Sequence, residues 1–200
     1  MELQMFHLVI LGEQELGQPQ MQALCFLLRL NKNDFISSDA MSKLRQKNPS
    51  AVRHPEEIKG VEGYEMDLLV SYEHAYLFSP HVQAQCKDAR DAIYIRDKDL
   101  KLLARSLSRD YTTLLGATKS LAIQRVTPCS NTTDLWRPCA CHYDGCIMWY
   151  PCGLKYCKGK DSTGKTVNYR CGIKTCSKCR RFEYQARRRE LCMWELPGLG

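Results

Sequence analysis

The cysteines of this chain are concentrated in one segment. Ten of the twelve lie between Cys129 and Cys192. Such a high density is typical of small secreted domains, in which disulfide bonds supply the stability that a small hydrophobic core cannot. The sequence therefore predicts a small disulfide-rich module of strands and loops, folded in an oxidising compartment. Its cysteines are Cys129, Cys139, Cys141, Cys146, Cys152, Cys157, Cys171, Cys176, Cys179 and Cys192.

Two hexapeptides of this module share one outline. Residues 152–157 and 171–176 both begin with Cys-Gly, continue with an apolar residue and a lysine, and end with a cysteine. We interpret them as a repeated short hairpin or turn. The spacings leave the disulfide pairing open, because ten cysteines can pair in about a thousand different ways.

Zinc is the competing interpretation of the same cysteines. Cys176 and Cys179 form a C-x-x-C motif, and His142 lies in the same module. Ribbon-type zinc sites use two such motifs, and one or two zinc ions would leave most of the thiols without a role. We therefore predict disulfides and no cofactor. A zinc-binding intracellular or nuclear regulator is kept as the alternative.

The charge of the chain is as unevenly distributed as its cysteines. The net charge of +7 resides in the residues from Cys129 onward, and the rest of the chain is neutral. A basic cluster consists of Lys178, Arg180, Arg181, Arg187, Arg188 and Arg189. Such a cluster is most simply a solvated face, and in a secreted protein it can also bind an acidic glycan or receptor. We expect no nucleic-acid partner; the nuclear alternative would use the cluster on nucleic acid.

The sequence before the module predicts an α+β domain with an antiparallel sheet and two main helices. Strands are expected at residues 7–11, 23–30, 66–72 and 75–78, with a loop at 50–60. One helix is expected to start at Ser37 or Ser38 and to stop at Asn48. A second is expected to start at Ser79-Pro80 and to continue through Ile93, followed by a helical run at 97–107.

Two cysteines, Cys25 on a predicted strand and Cys86 on a predicted helix, stand outside the module. They are either two buried free thiols or, in an oxidising compartment, one disulfide. We predict the disulfide. It would close a loop of about 60 residues and contribute about 4 kcal/mol to stability.

The compositional change divides the chain into a first domain at residues 1–110, a linker at 111–128 and the module at 129–200. Asn131-Thr132-Thr133 is an acceptor sequon, and we predict glycosylation of Asn131. No apolar run is long enough to span a bilayer, so we expect no transmembrane segment.

One motif suggests an enzyme. Residues 159–166 match the phosphate-binding loop pattern, which requires a strand before it and a helix after it. Here Cys157 precedes the motif and a strand-like segment ending at Cys171 follows it. We interpret the motif as a polar hairpin loop. Because none of the histidines lies in a nucleophile motif, we expect no catalytic site and no enzymatic activity.

Several longer motifs resemble the out at first protein family, and together they cover nearly the whole chain. They are ILGE at residues 10–13, QALCF at 22–26, AMSKLRQKNP at 40–49, DAIY at 91–94, PCACHY at 138–143, WYPC at 149–152, LKYC at 154–157, CGI at 171–173 and LCMW at 191–194.

The resemblance implies a secreted, non-enzymatic binding or signalling protein with a developmental role and an unidentified protein partner or receptor. It implies a BRICHOS-like first domain, in which an antiparallel sheet lies between two helices, and Cys25 and Cys86 match that domain's cysteines. Several BRICHOS domains act as chaperones for aggregation-prone strands.

Cys146 and Cys179 are additions to the family pattern, and we expect them to pair with each other. The family has a signal peptide and further strands before the position of Phe6, so we expect an N-terminally shortened chain.

Overall fold

The computed structural model of the chain describes residues 3–19, 21–30, 39, 42 and 54–193. These residues form two compact units that do not follow chain order. The first unit draws on Met1–Leu30, Gly63–Tyr143 and Arg181–Gly200, and the second on Asn31–Glu62 and Asp144–Arg180. The division of the chain at residues 110 and 128 stays a prediction.

The fold is mixed α+β and consists mostly of sheet. The described strands are β1 (Leu3–Leu11), β2 (Met21–Arg29), β3 (Glu57–Glu65), β4 (Leu68–Val70), β5 (Ile93–Ile95), β6 (Thr118–Ser120), β7 (Cys139–Lys160) and β8 (Thr166–Ala186). The described α-helices are α1 (Pro80–Gln85), α2 (Asp97–Leu107) and α3 (Tyr111–Gly116).

The first unit contains a five-stranded sheet in the order β1-β2-β5-β4-β6. β1 and β2 are antiparallel over their full length, from Leu3 opposite Arg29 to Leu11 opposite Met21. β2 and β5 are parallel, with Cys25 beside Ile93, whereas the other neighbouring strands are antiparallel; the predicted antiparallel sheet is therefore wrong at this one pair. Parallel neighbours need a long crossover, and the chain between β2 and β5 provides one.

β2 separates two hydrophobic cores, because successive side chains of a strand point to opposite faces of the sheet. Ala23, Cys25 and Leu27 contribute to the first core, in which helices α1, α2 and α3 pack on the sheet. Residues 24, 26 and 28 contribute to the second core, which is covered by residues of the C-terminal end of β8. All six side chains are buried. This accounts for the unbroken apolar sequence of β2 and confirms that it is an interior strand.

Two predicted helices have the expected local signals. Ser79 is the N-cap of α1, its hydroxyl accepts a hydrogen bond from the backbone N–H of His81, and Pro80 occupies the first helical position. α2 spans the predicted residues and buries Leu100 and Leu103. The helix predicted from Ser37 or Ser38 lies outside the described residues, apart from positions 39 and 42.

The structure corrects two further predictions. α1 ends at Gln85 instead of continuing to Ile93, which lies on β5. The helical spacing of buried residues arises because the end of α1, the turn after it and β5 all face the same core. Residues 75–78 begin within the 3₁₀ helix Tyr72–Leu77 rather than in a strand. Ala75 and Phe78 are three residues apart, and that spacing buries one side of a 3₁₀ turn.

Two segments predicted to be irregular contain regular structure. The loop predicted at residues 50–60 includes the start of β3, at Glu57. The segment predicted as a linker contains α3 and the edge strand β6. Both segments are rich in polar residues, and α3 and β6 become ordered because they cap the sheet next to β4.

Candidate functional site

All twelve cysteines form disulfides, three in each unit. The bridges of the first unit are Cys25–Cys86, Cys129–Cys139 and Cys141–Cys192. The bridges of the second unit are Cys146–Cys179, Cys152–Cys176 and Cys157–Cys171.

The disulfide between Cys25 and Cys86 fixes the end of α1 to the centre of β2. Their Cα atoms are 6.0 Å apart, and both side chains are fully buried in the first core. The bridge spans 61 residues of sequence, the largest separation of the six. It therefore removes more conformational freedom from the unfolded chain than any other bridge here.

Two disulfides of the first unit lie close together. The sulfur atoms of Cys129, Cys141 and Cys192 all lie within 4.8 Å of one another, and all three side chains are buried. A zinc site needs deprotonated thiols as ligands. These sulfur atoms are already bonded in Cys129–Cys139 and Cys141–Cys192. The zinc alternative therefore finds no support in this cluster.

The second unit is built on the long hairpin of β7 and β8. Its three bridges are nested, since the separation between the bonded cysteines falls from 33 to 24 to 14 residues toward the turn. Cys146 and Cys179 are bonded to each other, as expected from the sequence. The two hexapeptides do not form two short hairpins. They lie on opposite strands, and their four cysteines form the two bridges nearest the turn.

The segment that matches the phosphate-binding loop pattern, residues 159–166, forms the turn of this hairpin. The carboxylate of Asp161 accepts hydrogen bonds from the backbone N–H groups of Thr163 and Lys165 at 2.9 Å each. The Thr163 hydroxyl also donates to it, and this bond is the main reason that the pKa of Asp161 is lowered. Gly164 has a φ of +81°, a conformation that favours glycine. The motif residues are thus used to close a turn between two strands.

The hairpin exposes both cations and apolar side chains. Lys155 forms an ion pair with Glu56, and Lys174 forms one with Glu57. A further set of exposed basic residues makes no ion pair within the described part of the chain; it consists of Lys158, Lys160, Lys165 and Arg170. Sequence reasoning did not recognise these residues as one basic set, although four basic residues and one acidic residue between Cys157 and Cys171 are a usable signal.

The six residues predicted as a basic cluster do not form one exposed surface. Lys178, Arg180 and Arg189 are buried. Lys178 and Arg180 occupy inward positions of β8, and the ammonium of Lys178 lies 5.8 Å from the ring centroid of Tyr150. The idea of a single solvated face fails because side chains of a strand alternate between inside and outside.

The remaining basic residues of that cluster belong to the first unit. Arg187 forms an ion pair with Asp91. Arg188 pairs with Glu190 at 2.8 Å, and its guanidinium lies 4.9 Å from the ring centroid of Trp136. Arg181 is partly buried on β8. A partner-binding role for these residues stays a prediction.

Asn131 of the sequon is exposed at the end of the short 3₁₀ helix Cys129–Asn131. It lies within the loop closed by Cys129 and Cys139, and Thr133 of the sequon is exposed as well. The side-chain amide is therefore accessible from solvent, as modification requires.

Ser71, Glu73 and His74 lie together at the surface, and this is the arrangement most similar to a hydrolase site. The Ser71 hydroxyl donates to the Glu73 carboxylate at 2.8 Å, and Nδ1 of His74 is 3.3 Å from the same hydroxyl oxygen. An activated serine instead donates to an imidazole that is oriented by the carboxylate. The observed bonds stabilise the turn before the 3₁₀ helix and do not activate the hydroxyl.

None of the helices in the described residues is long and apolar enough to cross a membrane.

The fold and the bridges define a disulfide-stabilised α+β protein with a cysteine-rich C-terminal region. The chain belongs to the out at first family: the family profile "Out at first" matches residues 1–103, and "Out at first, C-terminal" matches residues 128–196. The resemblance found in the sequence motifs is thereby confirmed.

Two relatives show the extent of the similarity. The chain is 46% identical over 203 residues to the Out at first protein of Drosophila virilis, covering 97% of this chain and 67% of the relative. It is also 46% identical over 204 residues to the Out at first protein of Drosophila melanogaster, covering 97% of this chain and 42% of that relative. No solved structure matches the chain.

Proposed function

We propose that this protein is secreted and acts outside the cell as a non-enzymatic binding or signalling protein. The observation that supports this proposal most is the engagement of all twelve cysteines in six disulfides. Cytosolic thiols are kept reduced, whereas extracellular disulfides persist. The exposed sequon at Asn131 is a second feature that suits the secretory pathway.

Expression behind a signal peptide in secreting cells tests this proposal. We expect the protein in the medium, without free thiols on alkylation and mass spectrometry, and with a mass decrease after enzymatic removal of N-glycans. Asn131→Gln is the matched control and is expected to abolish that decrease, because the amide nitrogen is the acceptor. Retention inside the cell with free thiols throughout residues 129–192, or purification with stoichiometric zinc, would contradict the proposal.

We also propose that the first domain is BRICHOS-like and shields β-segments of other chains. β1 supports this role, since it is an edge strand that pairs only with β2 among the described residues. Its nine residues include no Asp, Glu, Lys, Arg or Pro. Such residues normally protect an edge strand from pairing with other chains, so the edge of β1 that no described strand covers can accept an added strand.

A charge placed on β1 is expected to remove this shielding. Val9 is 50% exposed, so a Val9→Lys side chain can remain in water while it disfavours the approach of another strand. We expect the unmodified protein to delay fibril formation of an amyloid peptide, measured by thioflavin fluorescence, and Val9→Lys to lose most of that delay.

The matched control is Val61→Lys on β3, where the valine is 59% exposed. It adds the same charge to another strand and is expected to keep the delay. If both variants delay fibril formation as well as the unmodified protein does, the edge of β1 is not the binding site.

A further inference from the structure

We propose that the end of the β7–β8 hairpin binds a sulfated polysaccharide. The ligand-binding side chains are those of Lys158, Lys160, Lys165 and Arg170, which we call the hairpin cations. The inference rests on the proposed extracellular function, because sulfated polysaccharides are ligands found outside the cell. It places anion binding on residues other than the basic cluster predicted from the sequence.

The hairpin cations outnumber the single acidic residue among them and form a region of net positive charge. All four are exposed, and none forms an ion pair within the described residues. Asp161 is the one acidic residue between Cys157 and Cys171, and its carboxylate is occupied by the hydrogen bonds that close the turn. Farther from the turn, the exposed lysines have acidic partners: Lys155 is paired with Glu56, and Lys174 is paired with Glu57.

Three of these cations share one face of the hairpin. A Cβ atom built on Gly159 would lie 3.0 Å from Cε1 of Tyr169, so Gly159 and Tyr169 face the same side. Side chains alternate along a strand, and Lys158, Lys160 and Arg170 therefore point to the other side. Lys158 and Lys160 are two residues apart, which separates them by about 6.6–6.8 Å.

Like charges held on neighbouring strands repel one another, and this repulsion lowers stability. An anion bound at this face would relieve the repulsion. The cations stand on an exposed strand pair rather than in a closed cleft, and this geometry suits a linear polyanion that runs along the surface. Binding of such a polymer releases its condensed counterions and is therefore strongly dependent on salt.

The end of the hairpin is also constrained by covalent and hydrogen bonds within the chain. The Cys157–Cys171 bridge holds the two strands with their Cα atoms 5.7 Å apart. On the other side of the cations, hydrogen bonds between Asp161 and Lys165 close the turn. A surface fixed at both ends loses little conformational entropy on binding, which favours affinity.

Heparin is the probe for the test, and binding is measured by surface plasmon resonance over a range of salt concentrations. The test variant is Lys158→Gln/Lys160→Gln/Arg170→Gln. The control is Lys98→Gln/Lys119→Gln/Arg125→Gln, which removes the same charge from exposed positions of the first unit. If each hairpin cation contributes as much as a basic residue near an anionic surface, the test variant binds about 100-fold more weakly. It should also show a shallower salt dependence, and the control should bind nearly as well as the unmodified protein.

A second measurement uses the unmodified protein alone, so it does not depend on the folding of a variant. Bound heparin is expected to protect Lys158, Lys160 and Lys165 from acetylation more than Lys98 and Lys119. Equal weakening by the two triple variants together with equal protection of all lysines would overturn the proposal. Equal affinity for duplex DNA of matched charge would also overturn it, because binding would then reflect charge alone.

Secretion and thiol content are measured on the same preparations. A secreted, fully disulfide-bonded protein that does not bind heparin would refute the polysaccharide site and leave the proposed extracellular function intact. A protein that is retained in the cell with free thiols would refute that function, whatever the heparin result.

Discussion

Removal of the Cys25–Cys86 bridge is expected to lower the free energy of unfolding by about 4 kcal/mol. The bridge spans 61 residues, and the entropy that a disulfide removes from the unfolded chain increases with the length of the loop it closes. The appropriate variant is Cys25→Ala/Cys86→Ala, which leaves no free thiol in the core. Urea unfolding under oxidising conditions, followed by circular dichroism, measures the change.

Cys157→Ala/Cys171→Ala is the matched control. This pair spans 14 residues, and Cys171 is exposed, so the expected loss is smaller, about 3 kcal/mol. If the loss for the hairpin pair equalled or exceeded that for Cys25–Cys86, loop length would not be what determines the stabilisation. A double variant at 25 and 86 that is as stable as the unmodified protein would show that this bridge is dispensable for the first core.

Phe182→Ala is expected to lower the free energy of unfolding by about 3–5 kcal/mol, as is usual for the loss of a buried ring. The Phe182 ring is stacked on Phe26 with centroids 4.4 Å apart, and it lies 5.3 Å from Phe6 and 5.5 Å from Tyr64. Its removal leaves a cavity among the rings of three other strands, β1, β2 and β3. The same urea experiment measures the effect.

The control for this prediction is Tyr156→Ala, which removes an aromatic ring that is 61% exposed on β7. A loss of about 1 kcal/mol or less is expected, because little packing is lost at a solvated position. Similar losses for Phe182 and Tyr156 would mean that the second core does not depend on the stacked rings.

Some elements of the fold could be predicted from the sequence, and others could not. β2 was identifiable as an interior strand because both of its faces are buried, which requires an unbroken apolar run. The start of α1 was identifiable because the signal is local, a capping hydroxyl followed by proline. In contrast, Phe182 and Tyr184 lie between the residues of the predicted basic cluster, where the local sequence does not mark them as core residues. Their burial depends on β8 returning to the sheet of the first unit, and no local pattern encodes that contact.

The disulfide pairing within the hairpin could not be predicted from the cysteine spacing alone. The two hexapeptides, residues 152–157 and 171–176, have equal cysteine spacing, and by itself this spacing suggests two separate turns. On two antiparallel strands, equal spacing instead places each cysteine of one hexapeptide near its partner on the other. The choice between these interpretations requires knowing that one hairpin joins the hexapeptides, and its tight turn is formed by Asp161 and Gly164.

The nested bridges of the hairpin also determine what a protease could achieve. A cut in the exposed turn at residues 161–165 would divide the chain, yet four of the six disulfides connect the part before the turn to the part after it. The two pieces would stay one covalent molecule and would separate only on reduction. The hairpin end can therefore be cleaved without release of either piece.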